Sequence, residues 1–130
     1  MADQQKHILC IEDNPEMIEL LEIILSRKGF KVSRASGGAE GLRKVHEIVP
    51  DLVLLDLMMA DIGGWEVYQQ MKADEKTKNI PVIVVTAKAQ SIDKVLGLHV
   101  AKVDDYITKP FSLAELVDSV NRVLAKHESD

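Results

Sequence analysis

The chain has 130 residues, a formal net charge of −5, 46% hydrophobic residues and 28% charged residues. This composition is typical of one globular domain rather than of a disordered segment, and we expect a single domain over residues 1–130 with its core at about residues 7–124. The acidic balance and the lack of a basic stripe argue against direct nucleic-acid binding, and no apolar stretch approaches the ~20 residues that span a membrane.

Five short runs rich in apolar and β-branched residues predict β-strands. They are His7–Ile11, Lys31–Ala35, Leu52–Asp56, Val82–Thr86 and Asp105–Thr108. The third and fourth runs are apolar almost throughout, as in central parallel strands that are buried on both faces. The only cysteine, Cys10, lies in the first run, which excludes an intramolecular disulfide and fits a buried thiol in a reducing, cytoplasmic location.

Segments with helical periodicity alternate with these runs. The first has Asn14 as its expected N-cap, Pro15 in its first turn and Gly29 at its end. Its apolar stripe consists of Met17, Leu20, Leu21, Ile24 and Leu25.

Four more helices are expected along the rest of the chain. The second covers about Gly38–Val49, the third about Trp65–Ala73, and a less regular fourth begins near Ser91. The last begins at Ser112, and Glu115 three residues later completes a capping-box spacing. Its apolar stripe consists of Leu113, Leu116, Val117, Val120, Val123 and Leu124.

The alternation of strands and helices predicts an α/β fold: one doubly wound (βα)5 domain with a five-stranded parallel sheet in the order 2-1-3-4-5 and helices on both faces. In such a sheet, ligands bind beyond the carboxyl ends of the strands, where the strand order reverses. For this order the reversal lies between the first and third strands, so the polar residues that end the strands are the candidate site.

Complementary chemical groups end four of the strands. The first ends in Glu12 and Asp13, the third in Asp56, the fourth in Thr86, and Lys109 follows the fifth. Taken alone, Glu12-Asp13 is more typical of a solvated loop or a helix cap, and Thr86 of a strand or cap residue. Lys109 alone is more typical of the surface, and Asp56 alone favours neither interpretation. The topology, however, brings all of them to the carboxyl ends of the strands. Three adjacent carboxylates repel one another unless a cation offsets them, and Mg²⁺ prefers oxygen ligands.

At these residues the chain resembles the receiver domain of two-component response regulators, which has a flavodoxin-like fold. The matching segments are CIEDNPEM, PDLVLLDLMMADIGGWEV, VIVVTAKAQ and DDYITKPFSLAEL, and the likeness runs from about His7 to Leu124. Each segment alone is a weak signal, whereas their order and spacing together are specific.

The resemblance implies a phosphorylation switch. Asp56 would accept a phosphoryl group from the phosphohistidine of a histidine kinase or phosphotransfer protein. Asp13, Asp56 and the backbone carbonyl of Met58 would bind Mg²⁺ directly, and Glu12 would act mainly through a coordinated water. Lys109 would pair with Asp56 and then with the phosphoryl group.

The resemblance also implies how phosphorylation changes the surface. Thr86 would hydrogen-bond a phosphoryl oxygen, and Tyr106 would turn inward as Thr86 moves. The surface formed by the fourth helix, fifth strand and fifth helix would then bind a downstream effector or a second copy of the domain. The Lys109–Pro110 peptide bond would be cis.

Three positions depart from the family pattern. Ala60 stands where proline is most common, Gly63 stands where an acidic or amide residue is commoner, and Lys102-Val103 replaces the usual Gly-Ala. Without proline, we expect a looser loop after the third strand.

Two alternatives to the switch remain. The first is a pseudo-receiver, a protein-interaction module that no longer accepts phosphate. The second is a phosphohydrolase with an aspartyl nucleophile, which is disfavoured because Met58 stands where the acid/base carboxylate of such enzymes lies. We therefore expect a self-phosphorylating acceptor rather than a turnover enzyme on a free substrate.

Overall fold

The computed structural model describes residues 5–87 and 103–129 of the chain. The strands are β1 (His7–Ile11), β2 (Lys31–Ala35), β3 (Leu52–Leu55), β4 (Val82–Thr86) and β5 (Asp105–Thr108). The helices in this part are α1 (Pro15–Arg27), α2 (Gly38–Ile48), α3 (Gly64–Ala73) and a C-terminal helix (Leu113–Ser129). The helix expected from Ser91 lies outside the described residues, and so does Lys102.

The five strands form one parallel sheet in the order β2-β1-β3-β4-β5, which confirms the predicted fold class and strand order. In the centre of the sheet, Ile8 on β1 lies between Val32 on β2 and Leu52 on β3. The strand order reverses at β1, so the carboxyl ends of β1 and β3 flank the crevice where this fold binds ligands.

Most strand residues pack alternately into two large cores, one on each face of the sheet, and Val84 of β4 packs with Leu57 in a smaller cluster. Ile8 and Cys10 of β1 pack with α1 and the C-terminal helix, whereas Leu9 and Ile11 pack with α2 and α3. This alternation follows from the two-residue period of a strand. Burial on both faces explains why β3 is apolar throughout and why β4 is apolar up to its last residue, Thr86.

The predicted caps of α1 and of the C-terminal helix are formed as expected. The side chain of Asn14 accepts hydrogen bonds from the N–H groups of Glu16 (3.0 Å) and Met17 (3.1 Å), and Gly29 follows α1 with φ of 93°. At the C-terminal helix, Ser112 and Glu115 form both hydrogen bonds of the capping box, at 2.9 and 3.0 Å.

Two leucines predicted to lie in the core-facing stripes are instead exposed. Leu20 is 44% exposed, because the buried face of α1 is centred on Ile18, Leu21 and Leu25, and Leu20 lies about 100° around the helix from Leu21. Leu113 is 53% exposed because it opens the C-terminal helix, one turn before the first buried residue of that helix.

Among the described residues, no helix combines the length and the hydrophobicity needed to cross a bilayer.

Candidate functional site

The sheet itself positions two of the candidate carboxylates. The N–H of Glu12 donates to the carbonyl of Ala35 (3.1 Å), and the N–H of Asp56 donates to the carbonyl of Ile11 (3.0 Å). Each residue therefore extends the parallel ladder by one step beyond the end of its strand. These backbone hydrogen bonds fix the main chain at Glu12 and Asp56. The two side chains are therefore held at the point where the strand order reverses.

The side chains of Glu12, Asp13 and Asp56 form an acidic cluster. One carboxylate oxygen from each lies within 4.8 Å of the others. Glu12 and Asp56 are 2% and 5% exposed, and Asp13 is half-buried. Buried carboxylates at this spacing repel one another in a medium that screens poorly, and an oxygen-only donor set fits a hard divalent cation such as Mg²⁺.

The ammonium of Lys109 lies between two of these carboxylates. Its Nζ is 2.7 Å from Oε1 of Glu12 and 3.9 Å from Oδ2 of Asp56. The resemblance implied a pairing with Asp56, which lies within ion-pair distance, but the hydrogen bond is made to Glu12. Burial raises the pKa of Glu12, the hydrogen bond from Lys109 opposes that rise, and the negative charge of Asp56 adds to it.

Gly64, whose role the sequence analysis missed, lets α3 begin directly against Asp56. Its N–H donates to the carbonyl of Leu57 (3.0 Å). A Cβ atom at this position would lie 2.3 Å from the carbonyl oxygen of Asp56 and 2.7 Å from the Cα of Leu57, far inside contact distance. The signal available in the sequence was the Gly63-Gly64 pair at the start of a helix.

The backbone after Asp56 turns back onto the carboxylate of that residue. The N–H of Met58 donates to Oδ1 of Asp56 at 3.2 Å, while the Met58 side chain is exposed. This hydrogen bond orients the Asp56 carboxylate and holds the Met58 main chain beside the acidic cluster.

The loop that lacks the expected proline is anchored at two consecutive residues. The N–H of Ala60 donates to Oδ2 of Asp13 (2.9 Å). The carboxylate of Asp61 accepts from the N–H groups of Gly38 (3.0 Å) and Ala39 (3.1 Å), in the first turn of α2. The loop that was expected to be loose is thus anchored by hydrogen bonds to residues far away in the sequence.

Thr86 and Tyr106 occupy contrasting positions. Thr86 is fully buried at the end of β4 and pairs with Thr108 of β5, and the N–H of Lys109 donates to the Thr86 carbonyl at 2.9 Å. Tyr106 lies on β5 and is 49% exposed. The Lys109–Pro110 peptide bond is cis.

Of the surface that the resemblance assigns to output, β5 and the C-terminal helix are described. They are joined through Asp105, whose carboxylate accepts a hydrogen bond from the hydroxyl of Ser119 (2.6 Å) and pairs with Arg122. The fourth helix of that surface lies outside the described residues.

Comparisons with known proteins agree with this geometry. The family model described as "Response regulator receiver domain" matches residues 8–121. The DNA-binding response regulator MtrA of Mycolicibacterium smegmatis is 38% identical over 130 residues, which is 100% of this chain and 55% of that protein. The alkaline phosphatase synthesis transcriptional regulatory protein PhoP of Bacillus subtilis is 39% identical over 123 residues, covering 95% of this chain and 50% of that protein.

A solved structure shares the same architecture. The response regulator protein TrrA of Thermotoga maritima, in complex with Mg²⁺-BeF, matches with a TM-score of 0.81 and 31% identity, over 92% of this chain and 99% of that one.

The chain spans about half the length of the curated relatives it matches. Since those relatives include DNA-binding regulators, the comparisons do not support the expectation that this chain makes no direct contact with nucleic acid.

The match over residues 8–121, the strand order and the identity to full-length response regulators lead to one assignment: the chain belongs to the response regulator receiver domain family, the signalling domains of two-component systems.

Proposed function

We propose that Asp56 is the phosphoacceptor of this receiver domain and that Glu12, Asp13, Asp56 and the backbone carbonyl of Met58 hold Mg²⁺. The proposal rests on one observation: three carboxylates and the Lys109 ammonium meet where the strand order reverses. Receiver domains in general bind Mg²⁺, and the TrrA structure was solved in complex with Mg²⁺-BeF. The pseudo-receiver alternative is not favoured, since all of these acidic and basic groups are present.

The reaction is a transfer to a carboxylate oxygen of Asp56. This oxygen attacks the phosphorus of a phosphohistidine on a histidine kinase or phosphotransfer protein. The P–N bond breaks, its electron pair stays on the imidazole nitrogen, and an acyl phosphate forms on Asp56. When bound, Mg²⁺ supplies electrostatic stabilisation of the charge on the phosphoryl oxygens.

The chain's own residues position and neutralise the reacting groups. The N–H of Met58 orients the Asp56 carboxylate from one side. Lys109, within 4 Å of both Glu12 and Asp56, can move its ammonium to a phosphoryl oxygen without leaving the site. The buried hydroxyl of Thr86, at the end of the neighbouring strand, is assigned to a second phosphoryl oxygen.

Output follows from the movement of Thr86 and Tyr106. Withdrawal of Thr86 toward the phosphoryl group frees space for the exposed ring of Tyr106 to turn inward. The surface that the resemblance assigns to output, of which β5 and the C-terminal helix are described, then changes shape and binds an effector or a second copy of the domain. On this proposal the protein is a switch, and hydrolysis of its own acyl phosphate resets it without turnover of a free substrate.

Phosphorylation by a small phosphodonor tests the assignment. Wild-type protein incubated with Mg²⁺ and acetyl phosphate or phosphoramidate is expected to gain the mass of one phosphoryl group, which hydroxylamine then removes. Asp56→Asn is expected to gain none, whereas Asp118→Asn, a change of the same type at an exposed position of the C-terminal helix, labels like wild type. Equal labelling of Asp56→Asn would rule out Asp56 as the acceptor.

A further inference from the structure

Ala60 contributes a backbone hydrogen bond that a proline at this position lacks the N–H to make. Its amide donates to Oδ2 of Asp13 at 2.9 Å, which leaves the other oxygen of that carboxylate to a cation. Hydrogen bonds from outside the ligand set orient ligating carboxylates, and their loss typically weakens metal binding. The departure from the family pattern at Ala60 therefore adds a group that acts on a proposed metal ligand.

Asp61, the residue after Ala60, is hydrogen-bonded to a different element, the first turn of α2. The first turn of α2 has no side-chain cap of its own, because Gly37 stands at the N-cap. The carboxylate of Asp61 fills that role and accepts from the N–H groups of Gly38 and Ala39. These hydrogen bonds lower the pKa of Asp61 to about 2.

The close fit of the carboxylate at this helix end depends on a glycine. A Cβ atom at Gly37 would lie 3.0 Å from Oδ2 of Asp61, so a side chain there would press on the cap. Asp61 follows Ala60 directly, and one residue of main chain thus joins the α2 cap to the hydrogen bond on Asp13.

We infer that Asp61 is a positioning residue for the metal site: by capping α2 it holds the Ala60 N–H on Asp13 and fixes that carboxylate for Mg²⁺. Neither Ala60 nor Asp61 is a metal ligand in this arrangement. The inference rests on the proposed function, because it requires Asp13 to bind Mg²⁺.

The test is a Mg²⁺ titration of the full chain without any phosphodonor, followed by isothermal calorimetry and by the fluorescence of Trp65. Ala60→Pro removes the N–H and Ala60→Ser keeps it. We expect Ala60→Pro to weaken Mg²⁺ binding by about tenfold, in the range typical of lost outer-shell hydrogen bonds, and Ala60→Ser to bind like wild type.

Variants at Asp61 separate capping from charge. Asp61→Ala is expected to weaken Mg²⁺ binding to a similar degree as Ala60→Pro. Asp61→Asn keeps an oxygen acceptor at the helix end but loses the charge. It is expected to keep most of the Mg²⁺ affinity of wild type. Glu66→Ala removes an exposed negative charge beside the same loop and is expected to leave the affinity unchanged.

The outcomes distinguish the inference from the proposed function. Unfolding followed by circular dichroism sets a titration temperature at which every variant is folded. If wild type itself does not bind Mg²⁺, the proposed function fails. If wild type binds but Ala60→Pro and Asp61→Ala bind equally well, or if Glu66→Ala weakens binding as much as Asp61→Ala, only the positioning role is overturned.

Discussion

The ammonium of Lys109 is hydrogen-bonded to the buried carboxylate of Glu12, a residue 97 positions away in the sequence, and it stands only 3.9 Å from Asp56. One cation therefore offsets part of the repulsion between two carboxylates that are both almost inaccessible to solvent. Lys109 is attracted by the same carboxylates that we propose bind Mg²⁺. The positive charge of Lys109 therefore opposes the binding of the metal ion to the acidic cluster.

Replacing Lys109 with methionine is expected to change Mg²⁺ affinity and stability in opposite directions. Without Mg²⁺, the variant should unfold at a lower urea concentration, because Glu12 and Asp56 lose their cation in a buried setting. Calorimetry should show several-fold tighter Mg²⁺ binding, since the competing charge is gone. Lys31→Met, at an exposed strand position, is the control. Weaker Mg²⁺ binding by Lys109→Met would contradict this account of the site.

The two adjacent glycines at the start of α3, Gly63 at its N-cap and Gly64 as its first residue, are expected to differ sharply in their tolerance of a methyl group. Gly64→Ala forces an atom to within 2.3 Å of the Asp56 carbonyl oxygen, so we expect destabilisation by more than about 2 kcal/mol and impaired phosphorylation. Gly63→Ala meets no atom within 4 Å at a backbone φ of −63°. Because alanine is a poorer N-cap than glycine but also lowers the entropy of the unfolded chain, the two effects oppose each other, and we expect the free energy of unfolding to change by less than about 1 kcal/mol. Chemical denaturation of both variants measures the contrast. Similar free energies of unfolding would disprove the steric argument.

Two neighbouring leucines on α1 test which face of that helix is buried. Leu21 is 2% exposed and Leu20 is 44% exposed. Leu21→Ala should reduce the free energy of unfolding by about 2–5 kcal/mol, because it leaves a cavity in the core. Leu20→Ala should reduce it by less than about 1 kcal/mol. Urea denaturation followed by circular dichroism gives both values, and a larger loss at Leu20 would mean that α1 is rotated from the orientation described here.

The sheet and the gathering of the site could be predicted because both follow from backbone regularities. Burial of β3 and β4 on both faces is visible as almost entirely apolar sequence. A parallel sheet in this order has its ligand crevice at the carboxyl ends of β1 and β3. Residues at strand ends inherit their positions from the hydrogen-bonded ladder, as Glu12 and Asp56 do. The proximity of the carboxylates to Lys109 could therefore be predicted without knowing any side-chain conformation.

Contacts that depend on side-chain geometry lay beyond sequence reasoning. Periodicity identifies the apolar residues of α1 but does not determine which of them the buried face is centred on, and Leu20 lies outside that face. The nearer partner of Lys109 depends on where its long side chain ends. The cap of α2 by Asp61 joins residues 23 positions apart, and no local motif marks it.

The last prediction concerns pH and the ion pair between α2 and the segment after α3. His46 contacts a carboxylate oxygen of Asp74 through Nε2 (2.9 Å) and the carbonyl of Leu42 through Nδ1 (3.1 Å). Both ring nitrogens face acceptors, which favours the protonated ring, so the hydrogen bond with Asp74 and that with Leu42 raise the pKa of His46 above 6.5. Burial lowers the pKa of His7 below the same value.

The sign of the stability effect follows from the raised pKa. The folded state binds the His46 proton more tightly than the unfolded state, so the pair stabilises the fold fully below pH 6.5. That contribution disappears as the pH rises through the folded-state pKa of His46. The difference in unfolding free energy between wild type and His46→Gln should therefore shrink over this interval. Titration of the imidazole resonances by NMR should place His46 above His7, and Asp74→Asn should move the His46 midpoint down; a midpoint unaffected by Asp74→Asn would show that the carboxylate does not hold the proton.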